Sequence, residues 1–334
     1  MEYKFLMDNA EKLCKVYDYE TLFNRGKILP YKKRLNYCYK IRCISDNVEY
    51  KEVLAFLKYE DDFLKLLISH NELDYLIKNI KDIVRYHKLN DIVLAYIKQN
   101  IDSIPNTILE EIILIIIKSL IENASIYSNY NIEPLRNLLL KAANEQGLSI
   151  LDLKYVGAGG FAKVYRLGEK AIKIGYTRRC ASIPDNRRLL IPDFKGYIEK
   201  EYVEVTDYLE TTKDISEEEA YQVYKELRDM GIVWIDPYEH NLARVTEIVL
   251  NNIKERRKKG NIKGVKPNDN SSFWDELKVG DLVIIDLDHM FYENEPEIIE
   301  YEIEKLSEAT KCRVEKFNNK YLREKNIQTL SKKK

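Results

Sequence analysis

Cysteine is scarce in this sequence, and the few cysteines are not paired along the chain. The 334 residues include five cysteines and no C-x-x-C motif. Disulfide frameworks use an even number of cysteines, and structural zinc sites bring closely spaced pairs together. We therefore expect neither feature, and the scattered thiols favour a reduced, cytoplasmic chain.

Long apolar runs are also missing. The most apolar stretch, Ile112 to Ile117, covers six residues between charged neighbours, whereas a helix that spans a bilayer needs about 20. The first residues interleave charges with apolar side chains, unlike the apolar core of a signal peptide. The sequence thus predicts a buried helix at this stretch and no membrane partner.

Neither sign of charge is in excess. The chain has 54 basic and 55 acidic residues, which gives a net charge of -1. A surface that binds nucleic acid needs a strong positive potential. No nucleic-acid partner is therefore expected.

The first 147 residues have little glycine and little β-strand alternation, and the chain length corresponds to about two domains. Apolar positions recur at helical spacing, for example from Leu73 to Val84. Pro105 precedes another predicted helix, and Gly147 is placed to end the last one. We predict an all-helical domain over residues 1–147, either a bundle or a solenoid with a hidden repeat. A binding or regulatory role is favoured there, because no chemistry is concentrated in it.

Two β-hairpins are predicted at the start of a second domain, residues 148–334. Short apolar runs flank Gly168-Glu169, which indicates a tight turn between strands ending near Leu167 and beginning near Lys170. In the next pair of strands, Gly196 is expected at the turn.

A helix, a polar stretch and a buried strand follow. Ser216 and Glu219 form a capping-box pattern, and Gly231 is placed just past the end of that helix. The basic stretch at about 251–272 predicts a mobile insertion. Leu282 to Asp286 predicts a buried strand that ends in a carboxylate.

The end of the chain predicts one more helix. Pro296 is placed to begin it, and Ile299, Ile303 and Leu306 would share one face. The terminal residues Lys332 to Lys334 are expected to fray.

A glycine-rich turn lies between the first two predicted strands, with the sequence Gly157-Ala-Gly159-Gly-Phe-Ala-Lys-Val164. Glycines let backbone N–H groups approach a phosphate without interference from Cβ. A Rossmann turn would open a helix and meet an acid about 20 residues later. A Walker A loop would carry Gly-Lys followed by Ser or Thr. Neither pattern is met, so the turn is predicted to bind phosphate as part of a hairpin.

Further polar side chains complete a candidate nucleotide site. Lys173, on the second hairpin strand, could reach phosphates under the loop. Asp236 and Asn241 lie in one loop and offer a carboxylate for an attacking hydroxyl and an amide oxygen for magnesium. Asp286 is a candidate Mg²⁺ ligand, and Asp288 is a second candidate.

The glycine turn and the lysine resemble motifs of the protein-kinase superfamily. Gly157, Gly159 and Val164 match G-x-G-x-x-G-x-V, with Ala162 in place of the last glycine. Lys173, preceded by Ala and Ile, matches the lysine of V-A-I-K. The resemblance covers roughly residues 150 to 295 and implies an ATP-binding loop with a phosphate-contacting lysine.

The two downstream motifs resemble the same family. Asp236 and Asn241 match the catalytic loop H-R-D-x-x-x-x-N, and Asp286 matches the aspartate of D-F-G. The resemblance implies that ATP and Mg²⁺ are the cofactors. It also implies that Asp236 orients and deprotonates the acceptor, and that Asn241 and Asp286 hold the metal.

Departures from the family pattern modify these expectations. Trp234 and Ile235 stand at the usual His and Arg positions, and Tyr238 stands where a lysine usually contacts the transferred phosphate. No glutamate matches the helical partner of the lysine, and Asp185 and Glu199 are its only substitutes. About 48 residues follow Asp286 without an A-P-E motif, so the substrate-binding lobe would be reduced.

The sequence therefore predicts an α+β protein in which an all-helical N-terminal domain precedes a compact, protein-kinase-like bilobal domain with a reduced C-lobe. Its expected activity is ATP- and Mg²⁺-dependent transfer of the γ-phosphoryl group to a hydroxyl, with a protein as the expected acceptor. Two alternatives stay open. One is a small-molecule phosphotransferase, and the other is a catalytically silent pseudokinase that acts as a binding or scaffold module.

Overall fold

The computed structural model describes residues 2–45, 48–57, 61–87, 91–121, 131–158, 162–175, 192–198, 201–211, 213–258, 277–286 and 289–331. The chain combines helices with a five-stranded sheet and is therefore of the α+β class. It divides into two compact units, Met1–Val156 and Gly157–Lys334. The predicted boundary at residue 147 lies nearby in the sequence.

The first unit is built from helices in its described residues. They are α1 (Glu2–Asp8), α2 (Ala10–Cys14), α3 (Tyr19–Gly26), α4 (Tyr31–Ile44), α5 (Tyr50–Leu57), α6 (Asp61–Ser69), α7 (Leu73–Lys78), α8 (Ile80–His87), α9 (Asp91–Gln99), α10 (Asn106–Leu120) and α11 (Glu133–Asn144). Short 3₁₀ turns at Ile101–Ser103 and Ile150–Asp152 accompany them. The prediction of helices behind Pro105 and across Ile112 to Ile117 is confirmed, since both belong to α10 and most of its isoleucines are buried.

Two of the predicted helix features are present, one of them in two parts. Gly147 ends the last helix of this unit as expected, with φ +66° and the amide of Leu148 donating to the carbonyl of Ala143 at 2.9 Å. The stripe from Leu73 to Val84 is helical as predicted and is divided between α7 and α8 at Asn79. The buried Asn79 side chain accepts a hydrogen bond from the amide of Tyr50 at 3.2 Å, so the interruption is stabilised by a residue distant in sequence.

No helix in the described ranges has both the length and the apolar composition needed to cross a membrane.

The second unit begins with an antiparallel sheet. Its strands are β1 (Lys154–Ala158, at the division between the units), β2 (Ala162–Leu167), β3 (Lys170–Gly175), β4 (Phe194–Ile198) and β5 (Glu201–Asp207), in the order β1-β2-β3-β5-β4. The predicted hairpin is confirmed, because Leu167 pairs with Lys170 and Gly168 has φ +58°. The prediction for Gly196 is wrong. It lies inside β4 opposite Val203, and the β4–β5 pairing continues to its end at Ile198 and Glu201.

Helices and two short ladders form the rest of this unit. They are α12 (Glu217–Asp229), β6 (Ile232–Trp234), a 3₁₀ turn (Glu239–Asn241), β7 (Leu242–Arg244), α13 (Glu247–Lys258), β8 (Leu282–Ile284), β9 (Met290–Tyr292), α14 (Pro296–Glu304) and α15 (Glu308–Ser331). Strand β6 pairs with β9, and β7 pairs with β8. The predicted capping box at Ser216 and Glu219 is present, and Gly231 follows α12 with φ +76°.

The polar stretch at 251–272 needs a correction in its first part. Residues up to Lys258 complete helix α13, and Ile253 is buried in a cluster with Val249 and Leu277. Apolar positions at helical spacing therefore hold this part in the core despite its charges. Residues 259–272 lie outside the described residues.

The end of the chain contains more structure than the sequence predicted. Pro296 does begin helix α14, and Ile299, Ile303 and Leu306 pack against one core cluster, as predicted. This helix is not the last, because α15 follows it. Residues 332–334 lie outside the described residues.

Candidate functional site

The sheet carries one edge of the candidate site. Val164 on β2 and Lys173 on β3 are directly opposed, and opposed residues of an antiparallel pair lie on the same face. Gly157 lies in β1, and a Cβ at this glycine would meet no heavy atom within 4 Å. Gly159, the second glycine of the predicted turn, lies outside the described residues.

Lys173 reaches across to Asp286 at the end of strand β8. Its Nζ donates to Asp286 Oδ1 at 2.8 Å, and the two side chains are 16% and 38% exposed. These residues are 113 positions apart in the sequence. The fold therefore brings a strand lysine and a strand-end carboxylate into one partly buried ion pair.

Asp236 and Asn241 form a second contact in the loop after β6. The amide nitrogen of Asn241 donates to the backbone oxygen of Asp236 at 3.0 Å and to its carboxylate Oδ2 at 2.8 Å. Asn241 is buried, with 6% of its surface exposed. These bonds fix the loop between the two residues and orient the Asp236 carboxylate.

A backbone hydrogen bond connects the Asp236–Asn241 loop to the end of the strand that carries Asp286. The amide of Ile285 donates to the carbonyl of Asn241 at 3.0 Å, immediately beyond the pairing of Leu242 with Ile284. At the other end of the loop, the amide of Ile235 donates to the carbonyl of His289 at 2.9 Å. The loop and the end of β8 are therefore neighbours, and Lys173, Asp236, Asn241 and Asp286 are brought to one place.

Helix α15 also contacts this loop. The guanidinium of Arg313 donates to the backbone oxygen of Pro237 at 2.8 Å and to Glu239 Oε1 at 2.6 Å. It also lies over the ring of Tyr238, 4.5 Å from the centroid. Tyr238 in turn stacks on His240 at a centroid distance of 5.2 Å. Arg313 thus connects the last helix to three consecutive loop residues.

The environment of Glu239 reflects this contact. Burial alone would raise the pKa of the Glu239 carboxyl, but the hydrogen bond and the positive charge of Arg313 outweigh it, and the pKa is lowered. Glu239 is therefore ionised at neutral pH, and its ion pair with Arg313 is only partly exposed, at 28% and 14% of the two side chains.

The two residues just before Asp236, where the sequence resemblance implied His and Arg, are apolar core residues. Trp234 and Ile235 are both fully buried, and they belong to two different core clusters. Neither supplies a charge to the loop. Among the described residues, Arg313 is the cation that donates a hydrogen bond to the loop backbone, at Pro237.

The donor set at this place suits a hard cation. Magnesium prefers oxygen ligands and is commonly bound by one or two carboxylates together with phosphate oxygens and water. Because the Asn241 amide nitrogen faces Asp236, a cation here would be bound by the amide oxygen and by Asp286. Within the described ranges, no cluster of three or more His, Cys, Asp or Glu side chains could hold a metal by itself. Asp288 lies outside the described residues.

Two residues near the site were not predicted from the sequence. Glu204 lies on β5 directly opposite Lys173, and Arg313 lies on a helix that was not predicted. The spacing of Val314, Phe317 and Tyr321, which are all buried, is the signal that could have indicated α15. The substitutes proposed for the missing helical glutamate, Asp185 and Glu199, lie outside the described residues.

Comparison of the chain with protein-family models, with curated proteins and with solved structures gave no match. The functional assignment therefore rests on the geometry of the site.

Proposed function

We propose that the chain is an ATP- and Mg²⁺-dependent phosphotransferase of the protein-kinase type, which transfers the γ-phosphoryl group to a hydroxyl of a protein. One observation carries the proposal. The Lys173–Asp286 ion pair and the Asp236–Asn241 pair, from distant parts of the sequence, lie beside each other through the backbone bond between Ile285 and Asn241.

The surrounding fold supports the same assignment. In protein kinases a glycine-rich loop precedes a lysine on the third strand, and a metal-binding aspartate follows the catalytic loop. Here Lys173 is on the third strand of a five-stranded sheet, and Asp286 follows the loop of Asp236 and Asn241. We infer a sheet-containing lobe and a small helical lobe built from α12 to α15, with the site between them.

Each residue has a role that its position allows. Lys173 would bind phosphate oxygens, and Asn241 and Asp286 would hold Mg²⁺ through oxygen atoms. Bound Mg²⁺ would neutralise negative charge on the phosphates. Asp236 would accept the proton of the acceptor hydroxyl, and its hydrogen bond from Asn241 holds the carboxylate in one orientation.

Nucleotide binding and transfer should separate these roles. Lys173→Met and Asp286→Asn should weaken binding of ATP with Mg²⁺, measured by calorimetry on the full chain. Asp236→Asn should bind nucleotide nearly as well as the wild type but transfer phosphate about 10²- to 10⁴-fold more slowly, because only proton transfer is impaired. Asp281→Asn is the matched control, since Asp281 is a nearby acid whose side chain accepts from the backbone of Lys278 at 2.9 Å.

The transfer assay uses labelled ATP, Mg²⁺ and lysate proteins, and it scores both autophosphorylation and transfer to other proteins. Equal transfer by the wild type and Asp236→Asn would refute the role of Asp236. Failure of the wild type to bind nucleotide would refute the proposal as a whole.

A second candidate function is a silent nucleotide-binding module. The burial of Trp234 and Ile235 favours it, because no charged side chain from the loop's leading residues is available for an active arrangement. Nucleotide binding that depends on Lys173 and Asp286, without transfer or hydrolysis, would support this candidate over the first.

A further inference from the structure

Glu204 occupies a defined place relative to Lys173. The two residues are directly opposed on β5 and β3, so their side chains emerge on the same face of the sheet. Cβ atoms of such opposed residues are about 4.5–5.5 Å apart. Glu204 is buried, with 6% of its surface exposed. A buried carboxylate therefore lies within the reach of the Lys173 side chain.

The same pair of strands shows what this geometry can do. Lys170 and Asp207 are also directly opposed on β3 and β5, on the other face of the sheet. Their side chains form an ion pair, with Lys170 Nζ at 2.8 Å from Asp207 Oδ1. Opposed lysine and acid side chains on these strands can thus meet, and Lys173 and Glu204 repeat the arrangement three residues along.

Neighbouring groups hold Glu204 in place. The hydroxyl of Tyr202, on the same face of β5, donates to Glu204 Oε2 at 2.6 Å. Lys195 on β4 is the opposed residue on the other side. The carboxylate is therefore oriented by a hydrogen bond, and lysines occupy the opposed positions on both neighbouring strands.

A second acid is needed if Asp286 binds metal. The structure pairs Lys173 with Asp286, but a carboxylate that coordinates Mg²⁺ gives up much of its attraction for the lysine. A phosphate-binding lysine in this type of site is normally held by an acid as well. We propose that Glu204 is the positioning residue that holds Lys173 toward the phosphates once Asp286 is engaged by metal. This inference rests on the proposed function.

The test measures nucleotide affinity and coupling in the full chain. Glu204→Gln should raise the Kd for ATP with Mg²⁺ about tenfold, the effect of losing one charge-assisted contact. Glu204→Asp keeps the charge and should bind more tightly than Glu204→Gln. The control is Glu201→Gln, which alters an acid of the same strand that is 1% exposed but lies on the opposite face. It should leave the Kd within about twofold of the wild type, since strand residues three positions apart face opposite sides of the sheet.

A thermal double-mutant cycle with Lys173→Met separates this inference from the proposed function, because it needs no nucleotide. It is run in an Asp286→Asn background, which removes the charge that holds Lys173 in the ligand-free chain, as metal binding to Asp286 would. The double variant with Glu204→Gln should melt about 2–4 °C above the additive expectation, and the double variant with Glu201→Gln should be additive. Additive melting of Lys173 and Glu204, or unchanged nucleotide affinity in a folded Glu204→Gln, would overturn the inference alone. A wild-type chain that binds no nucleotide would overturn the proposed function, and the cycle would still report whether the two residues interact.

Discussion

Removal of the Arg313 guanidinium should loosen the loop that carries Asp236. Arg313 is 14% exposed and bonds both the Pro237 backbone oxygen and Glu239, while its plane covers the Tyr238 ring. Arg313→Ala deletes these contacts together and leaves a partly buried Glu239 carboxylate without its cation. The substitution lies on α15, far from the loop in sequence, so the local sequence of the loop is unchanged.

The size of the effect follows from these contacts. A hydrogen bond to a charged group contributes about 1.5–3 kcal/mol, and a partly exposed cation–π contact adds about 0.5–1 kcal/mol. Glu239 is 28% exposed and regains water in the variant, which offsets part of the loss. We expect a net destabilisation of about 2 kcal/mol, equivalent to about 4–8 °C in Tm for a unit of this size. Arg313→Lys should lie between, since lysine restores the charge but not the planar fork.

Calorimetric melting of the full chain is the assay, and Arg323→Ala is the control. Arg323 is an exposed arginine on the same helix. It should shift Tm by less than about 1 °C, as a surface substitution away from special contacts. A Tm loss in Arg313→Ala no larger than in Arg323→Ala would refute the reasoning that this helix holds the loop. A cycle with Glu239→Gln should recover about 1 kcal/mol of coupling energy between the two side chains.

Two further substitutions test the backbone and the charge network of α12. Gly231→Ala should destabilise the chain by about 1–2 kcal/mol in urea denaturation, because φ is +76° there and nothing within 4 Å would compensate. Gly231→Asn should cost less, and equal costs would argue against a backbone origin. Glu219→Gln should lower stability at pH 7 by about 1 kcal/mol, since the pKa of Glu219 is lowered first by the Ser216 backbone bond and then by Arg244. A carboxyl whose pKa is lower in the folded state stabilises the fold at pH values above its ordinary pKa of 4.5. This contribution is lost as the pH falls through the folded-state pKa. The difference from wild type should therefore shrink below pH 4.5, and a pH-independent difference would contradict the assignment.

Local signals in the sequence were sufficient wherever the structure is determined by neighbouring residues. The turn at Gly168 needs a positive φ between two apolar strands, and the cap at Ser216 needs an acceptor and a glutamate three residues later. The burial of Leu282 to Ile284 follows from a continuous apolar run. Each of these features is complete within a few residues, which is why pattern alone predicts it.

The wrong predictions arose where pairing or packing with another element decides the outcome. The segment from Leu73 to Val84 is helical as predicted, but its division at Asn79, whose side chain accepts from the amide of Tyr50, has no local signal. Gly196 resembles a turn residue but lies within β4, because the pairing with β5 continues past it to Ile198. The first residues of the basic stretch near 251 are helical because Ile253 is buried in a cluster that includes Leu277. No local pattern contains that information.

In the candidate site, too, some residues could be predicted from local sequence and others could not. Lys173, Asp236, Asn241 and Asp286 could be selected from the sequence because each residue type stands in a recognisable spacing. Their supporting residues have no such spacing, because cross-strand register places Glu204 and helix packing places Arg313.

The two supporting residues act on different parts of the site by different means. The strand pairing that fixes the backbone of Lys173 also fixes the backbone of Glu204, so the two positions stay opposed as long as the sheet is intact. Arg313 is fixed by α15, whose Phe317 and Tyr321 pack in the core beside Trp234. The lysine and the loop are therefore supported separately, by the sheet and by the last helix. Substitution of Glu204 should consequently change nucleotide affinity with little effect on loop stability, whereas substitution of Arg313 should change loop stability first. If a variant of either residue changed nucleotide affinity and loop stability to the same extent, the lysine and the loop would not be supported separately.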